Sequence, residues 1–181
     1  MLLTALVLAR EWERGTMESL LTTNVKKIDI VLGKYIPYFI LGILSMCFSL
    51  FMCIFVFKIP FRGSLLMLLF GASLFLSTAL GTGLLISSCF KDQFLASQTA
   101  LSVGFLPAMM LSGLIYPISS MPIIFQFLTK FVPARYFVMI IQSEFMAGTI
   151  YEILVPNCIF LGALGFILFA FVYENIKMKV D

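Results

Sequence analysis

Four long stretches of the chain carry no charged side chain. Ile36 to Phe57 is 22 residues between Lys34 and Lys58. A helix of that length reaches ~33 Å, enough to cross about 30 Å of hydrocarbon. Pro37 falls in its first turn, where a missing N–H costs little. Ser64 to Phe90, 27 residues between Arg62 and Lys91, is longer than a crossing needs and predicts a tilted span. Its Ser77, Ala79, Gly81 and Gly83 put small side chains where a neighbouring helix can approach closely. Phe94 to Tyr116 is interrupted by Gly104 and Pro107. Such breaks persist in lipid only where protein or water satisfies the freed carbonyls, so a kink beside a pathway and a plain packing kink both stay open. Ile153 to Tyr173 is the fourth span, and its Gly162 and Gly165 again predict close helix contact.

Between the third and fourth spans the pattern turns irregular. Pro117, Pro122 and Pro133 punctuate it, and Ser119-Ser120 stand before Pro122 as a cap stands before a first-turn proline. Ile123, Ile124, Phe127, Leu128 and Phe131 then recur at helical spacing, with Gln126 and Lys130 off that face. This predicts a short amphipathic helix lying at the membrane surface, or dipping in and returning. A second helical piece follows Pro133, around Tyr136 to Phe145. The expected fold class is therefore all-α and polytopic. Residues 1–35 form the end of a preceding membrane helix and a connecting region, and residues 36–181 form the transmembrane domain with outer helices within 119–148.

Composition agrees and adds direction. Of 181 residues 61% are hydrophobic and 12% charged, against about 25% charged in a soluble domain. With the N-terminal region inside, the inner segments hold Arg10, Arg14, Lys26, Lys27, Lys34, Lys91, Lys177 and Lys179. The outer ones hold only Lys58, Arg62, Lys130 and Arg135. That bias places both termini in the cytoplasm. The net charge of +3 is an orientation signal and gives no footprint for nucleic acid. Lys26-Lys27 is too sparse for a polybasic lipid patch. Cys47, Cys53, Cys89 and Cys158 lie in apolar stretches without C-x-x-C spacing and read as small hydrophobes. There is no histidine, which removes the commonest general base and metal ligand, and no catalytic or metal-binding residue is assigned.

Dense charge is confined to Arg10–Lys34. Glu11 and Arg14 are three apart and can pair on one helical face. Gly15 can stop that helix through left-handed backbone angles. Thr16 can cap a new short helix with Glu18 near its positive end, and Met17, Leu20 and Leu21 form an apolar side. Spacing alone leaves open whether this is a docking helix or a solvated loop.

The run Glu13-Arg14-Gly15-Thr16-Met17-Glu18-Ser19-Leu20-Leu21-Thr22-Thr23 resembles the E-R-G-T-x-E-x-L-L-x-T-P signature of type-2 ABC transporter permeases, the membrane subunits of bacterial ATP-driven exporters. Leu111-Ser112-Gly113-Leu114-Ile115-Tyr116-Pro117-Ile118-Ser119-Ser120-Met121-Pro122 is similar to the family's outer-loop motif S-G-x-x-[FY]-P-[IV]-x-x-M-P. It runs on into Pro133-Ala134-Arg135-Tyr136-Phe137, similar to P-A-x-Y-F. The resemblance implies a coupling role toward an ATPase subunit for Glu13, Arg14, Gly15, Thr16, Met17, Glu18, Leu20 and Leu21. It makes Ser112, Gly113, Pro117, Pro122 and Pro133 the outer-loop motif. It implies a multi-pass protein of the bacterial inner membrane that works as a homodimer or with a paired permease. No cofactor binds directly, ATP being handled by the partner, and a periplasmic adaptor has room among the partners. Asn24 departs from the family's proline, and Gln142-Ser143 replace a common Arg-Gly. Relative to a six-span permease the chain resembles a C-terminal half, with Met1 to Ala9 as the inner end of the second span.

Nothing in the chain binds ATP by itself, because there is no G-x-x-x-x-G-K-[ST] run. Ser73, Ser77, Thr78, Thr82, Gln98, Thr99 and Ser102 are positions from which a substrate path could be lined, although hydroxyls in membrane helices more often bond their own backbone. The rival reading is a non-transporting membrane protein, either a regulatory subunit or an inert truncated permease. An intramembrane enzyme is more remote, since such sites place charged or His residues inside spans.

Overall fold

The computed structural model describes residues 1–15, 27–90 and 92–175. The described residues are mostly helical, and they contain no strand. The helices are α1 (Leu2–Glu13), α2 (Lys27–Phe51), α3 (Leu65–Cys89), α4 (Gln93–Ala100), α5 (Leu106–Leu111), α6 (Ile123–Thr129), α7 (Pro133–Gln142) and α8 (Tyr151–Asn175). Wider π-helical turns extend α2 through Met52–Val56, join α4 to α5 through Leu101–Phe105, and extend α7 through Ser143–Ala147. Among the described residues, four segments are long and apolar enough to cross a membrane: Ile28–Val56, Leu65–Cys89, Gln93–Leu111 and Tyr151–Asn175. The all-α, multi-pass expectation holds.

Helix α3 is the hub, packed against by α1, α2, α7 and α8. Lipid gives helices no hydrophobic reward for touching, so close approach by small side chains does that work. A Cβ on Gly81 would lie 3.2 Å from Leu168 Cβ of α8, and one on Gly165 of α8 would lie 3.3 Å from Thr78 Cγ2. Gly83 faces α1, where an added Cβ would run into Thr4 and stop 2.7 Å from the Met1 carbonyl. Alanines finish that contact: Ala5 and Ala9 of α1 are buried with Ile86 of α3 and Ala96 and Ala100 of α4. Helix α2 lies at the rim instead. Its Ile36, Ile40, Leu44 and Phe48, one turn apart, are between 49% and 66% exposed. Such a face is an aggregation hazard in water and is covered by acyl chains in a bilayer.

Several boundaries differ from the charge-free runs. Helix α2 starts at Lys27, so Pro37 stands inside it and not in its first turn. The carbonyl four residues back belongs to Gly33, which has open space around it. The third span ends at Leu111, short of Tyr116, because Gly113 takes φ 85° just beyond. Pro107 is accommodated because Leu106 opens a fresh helical segment after the π turn. Among the cysteines only Cys158 is buried, while Cys47 and Cys89 lie exposed on the bundle surface.

Candidate functional site at the two ends of the bundle

At one end α1 stops and the chain turns. Gly15, at φ 69°, follows the last turn of α1 directly, as a helix stop by a residue without Cβ requires. Thr16, Met17, Glu18, Leu20 and Leu21 lie outside the described residues. The charged side chains before Gly15 reach into the bundle's own helices. Glu11 Oε1 accepts from Lys34 Nζ of α2 at 2.9 Å, with both side chains half-buried. Glu13 Oε2 accepts from the backbone N–H of Gln93 at the start of α4, at 3.2 Å. Arg10 Nε donates to Gln93 Oε1 at 3.5 Å. Arg14 is exposed beside them.

At the other end the bent pair α6–α7 sits on α3 and α8. Residues Ile123–Thr129 and Pro133–Ala147 meet at 84°. Pro122 is the residue before the first turn of α6, so Ser119-Ser120 do not cap it. Those serines form a separate 3-10 turn in which Ser120 Oγ donates to the Pro117 carbonyl at 2.7 Å. Gln126 Nε2 instead ties α6 back to the Met121 carbonyl at 2.8 Å. Pro133 opens α7, where its fixed φ suits a first turn. Across the bend, Arg135 Nη1 donates to Thr129 Oγ1 at 2.6 Å and Tyr136 OH to the Lys130 carbonyl at 2.8 Å. Ser112 is buried, and Gly113 faces Ile118 closely, so the outer-loop motif residues act as turn formers around α5 and α6.

Helix α7 enters the bundle while α6 stays on its surface. Ile140 is fully buried with Leu68, Leu154 and Leu161. Phe137 stacks on Phe75 with centroids 4.5 Å apart, and Tyr136 stacks on Phe160 at 3.9 Å. Ile123 and Ile124 are 83% and 74% exposed. The first half of the bent pair is thus the exposed one and the second the buried one.

Glu144 was not singled out by sequence reasoning. It is fully buried in the π turn after α7. Its Oε2 accepts from Ser64 N–H at 2.6 Å and from Thr149 Oγ1 at 3.2 Å, while Oε1 is buried without a partner. Helix α3 has no acid in its first turn and no side-chain cap from Ser64, so a carboxylate from a distant segment meets its positive end. The available signal was a lone acid in an apolar run, followed four residues later by a glycine.

The hydroxyls named as path candidates mostly serve their own helix. Ser73, Ser77, Thr78, Thr82 and Thr99 each donate to a carbonyl three or four residues back. Beside the π turn, an apolar cavity of about 340 Å³ opens between spans, walled by Phe75, Ala79, Val103, Gly104, Pro107 and Leu168. With the Thr82 hydroxyl turned to the Ala79 carbonyl, the cavity wall offers mainly dispersion contacts.

Residues 1–173 match the family described as ABC-2 family transporter protein. The chain is similar to the "Probable multidrug ABC transporter permease YbhS" of Escherichia coli (strain K12), at 47% identity over 180 residues, which is 99% of this chain and 48% of the relative. It is 34% identical over 146 residues to the "Probable multidrug ABC transporter permease YbhR" of the same strain, covering 81% of this chain and 39% of the relative. The "Inner membrane transport permease YhhJ" of that strain is 28% identical over 164 residues, 90% of this chain and 44% of the relative. The chain spans about half the length of these relatives. No solved structure matches it. With a family match over nearly the whole chain and four membrane-crossing helices, this protein belongs to the ABC-2 transporter family.

Proposed function

We propose that the chain forms part of the membrane permease of an ATP-binding-cassette exporter and that ATP is hydrolysed by a separate subunit docked near Gly15 to Thr23. The observation that carries this is the family match over residues 1–173, on a chain whose α1 ends at a left-handed glycine just before the E-R-G-T run continues. The residues offered for contact with that subunit are Arg14, Gly15, Thr16, Met17, Glu18, Leu20 and Leu21, while Glu13, the first of the coupling set, bonds within the chain to the Gln93 N–H. Both termini lie on the ATPase side, which the eight-to-four excess of Lys and Arg over the two sets of segments supports. The permease works paired, with a second copy or a homologous chain, and the cargo moves between the two. The relatives' names include "multidrug", and the cavity walls are apolar. Both favour small apolar or amphiphilic cargo.

Co-expression with an ABC ATPase, sought as a Walker A motif in the reading frames flanking the gene, tests the proposal. Tagged chain solubilised from membranes is expected to co-purify with that ATPase and to stimulate its hydrolysis of ATP, and a Leu20→Lys variant is expected to lose both. A wild-type chain that inserts in the membrane but neither binds nor stimulates the ATPase would favour the non-transporting alternative.

A further inference from the structure

The charged tail of α1 is held from two sides. On one, Lys34 of α2 donates to Glu11. On the other, the start of α4 is capped by two carboxylates: Asp92 accepts from Phe94 N–H at 2.7 Å and Glu13 accepts from Gln93 N–H at 3.2 Å. A helix start presents N–H groups without internal partners, and a carboxylate there gains both a hydrogen bond and a favourable dipole. Asp92 is local, whereas Glu13 comes from a different helix 80 residues away. Below this cap the two helices touch through Ala5, Ala9, Ala96 and Ala100, all nearly or fully buried. Above it Arg10 reaches the Gln93 side chain. Helices α1 and α4 are therefore joined by a continuous run of close backbone contact closed off by a charged clamp.

We infer that Glu13 is a positioning residue that makes α1 and α4 one moving body, so that a displacement starting at Gly15 is passed to the third span through the α4 start. Glu13 acts inside the chain and is not itself a contact with the ATPase. The inference rests on the exporter reading above. Lys34 and Glu11 tie the same tail to α2, so the end of α1 before Gly15 is held to two spans.

The test uses the full chain in proteoliposomes with the ABC ATPase that co-purifies with it. Glu13→Ala is expected to keep membrane insertion and ATPase co-purification. It is expected to lose permease-dependent stimulation of ATP hydrolysis by about tenfold, within the usual range for coupling between sites. The KM for ATP should stay unchanged. Glu13→Gln, whose amide oxygen still accepts from Gln93 N–H, should recover most of the stimulation. Full stimulation in Glu13→Ala would overturn the inference, and so would loss of ATPase binding, which would make Glu13 a docking contact. As an independent measurement, Arg10→Cys with Gln93→Cys, joined by a short bifunctional reagent, should retain wild-type stimulation because the two helices already move together. Loss of stimulation on joining, reversed by cleaving the reagent, would show that they must separate. Absence of stimulation by the wild-type chain would remove the exporter reading together with this one.

Discussion

The carboxylate of Glu144 accepts the backbone N–H of Ser64 at 2.6 Å, across 80 residues of chain. In a local capping box the Glu three residues into a helix would make this bond. Here the acid is supplied by the turn after α7, so the start of α3 is complete only when the bent pair is seated.

Replacing Glu144 with Ala should take away one of the two acceptors of the Ser64 N–H, leaving Thr149 Oγ1 at 2.9 Å, and destabilise the chain by about 1 kcal/mol. Glu144→Gln keeps an acceptor and should cost less than Glu144→Ala. Thermal unfolding in detergent, followed by fluorescence of a thiol probe on Cys158 as it becomes accessible in a background with Cys47, Cys53 and Cys89 replaced, would order the two. Equal loss in both variants would mean that charge at the helix start, and not the hydrogen bond, is what matters.

Gly63 and Gly148 flank this contact for different reasons. A Cβ on Gly63 would run into the Glu144 carboxylate and lie 2.8 Å from the Glu144 carbonyl. Gly148 has more room, with Arg62 O at 3.5 Å, but sits at φ 91°. Gly63→Ala should cost about 1–3 kcal/mol through overpacking, and Gly148→Ala about 1–2 kcal/mol through backbone strain. Glu144→Ala should partly relieve Gly63→Ala and leave Gly148→Ala untouched. A double-mutant comparison of melting temperatures checks this.

The two spans that bracket α3 offer a contrast between polar and steric contact. Tyr35 OH of α2 donates to Ser77 Oγ of α3 at 2.8 Å, and such bonds within membranes are worth only about 0.6 kcal/mol on average. Tyr35→Phe should therefore change stability little, whereas Gly83→Leu should drive α1 off α3. Crosslinking between cysteines placed at Ala5 and Ile86 should survive the first change and fail in the second.

Orientation is tested by thiol labelling in intact cells, in a background where the native cysteines are replaced. A cysteine at Ser119, on an exposed position of the 3-10 turn, should react with an impermeant reagent. One at Arg14 should react only after permeabilisation. The opposite pattern would invert the assignment and detach the segment after Gly15 from any cytoplasmic ATPase.

How much of this was legible follows from range. A charge-free run is a local property, so all four spans stood out. So did the stop at Gly15, set by one residue's backbone freedom, whereas the first-turn role expected of Pro122 belongs to Pro133. The start of α2 was not visible, because Asp29 and Lys34 interrupt the apolar run although Ile30 and Val31 are already buried against Leu84 and Val172. A span boundary marks lipid, whereas a helix boundary marks hydrogen bonding, and the two need not coincide. Ser119-Ser120 resembled a cap by composition, yet the Pro117 carbonyl took the Ser120 hydroxyl first. Contacts joining residues 80 apart, Glu13 with Gln93 and Glu144 with Ser64, leave no periodicity in the sequence, and both became visible only once the helices were placed.

The crowding around α3 reverses ordinary expectations about which changes are mild. On α2 the outward positions meet fluid acyl chains, so Phe48→Leu or Ile40→Val alters volume against a solvent that simply refills it. On α3, Gly81→Ala adds one methyl group 3.2 Å from Leu168 Cβ and has room only if α8 gives way. Sequence drift in this chain should accordingly be governed by volume at its centre and by hydropathy at its rim, and a substitution table weighted for chemical similarity would rank the two the wrong way round.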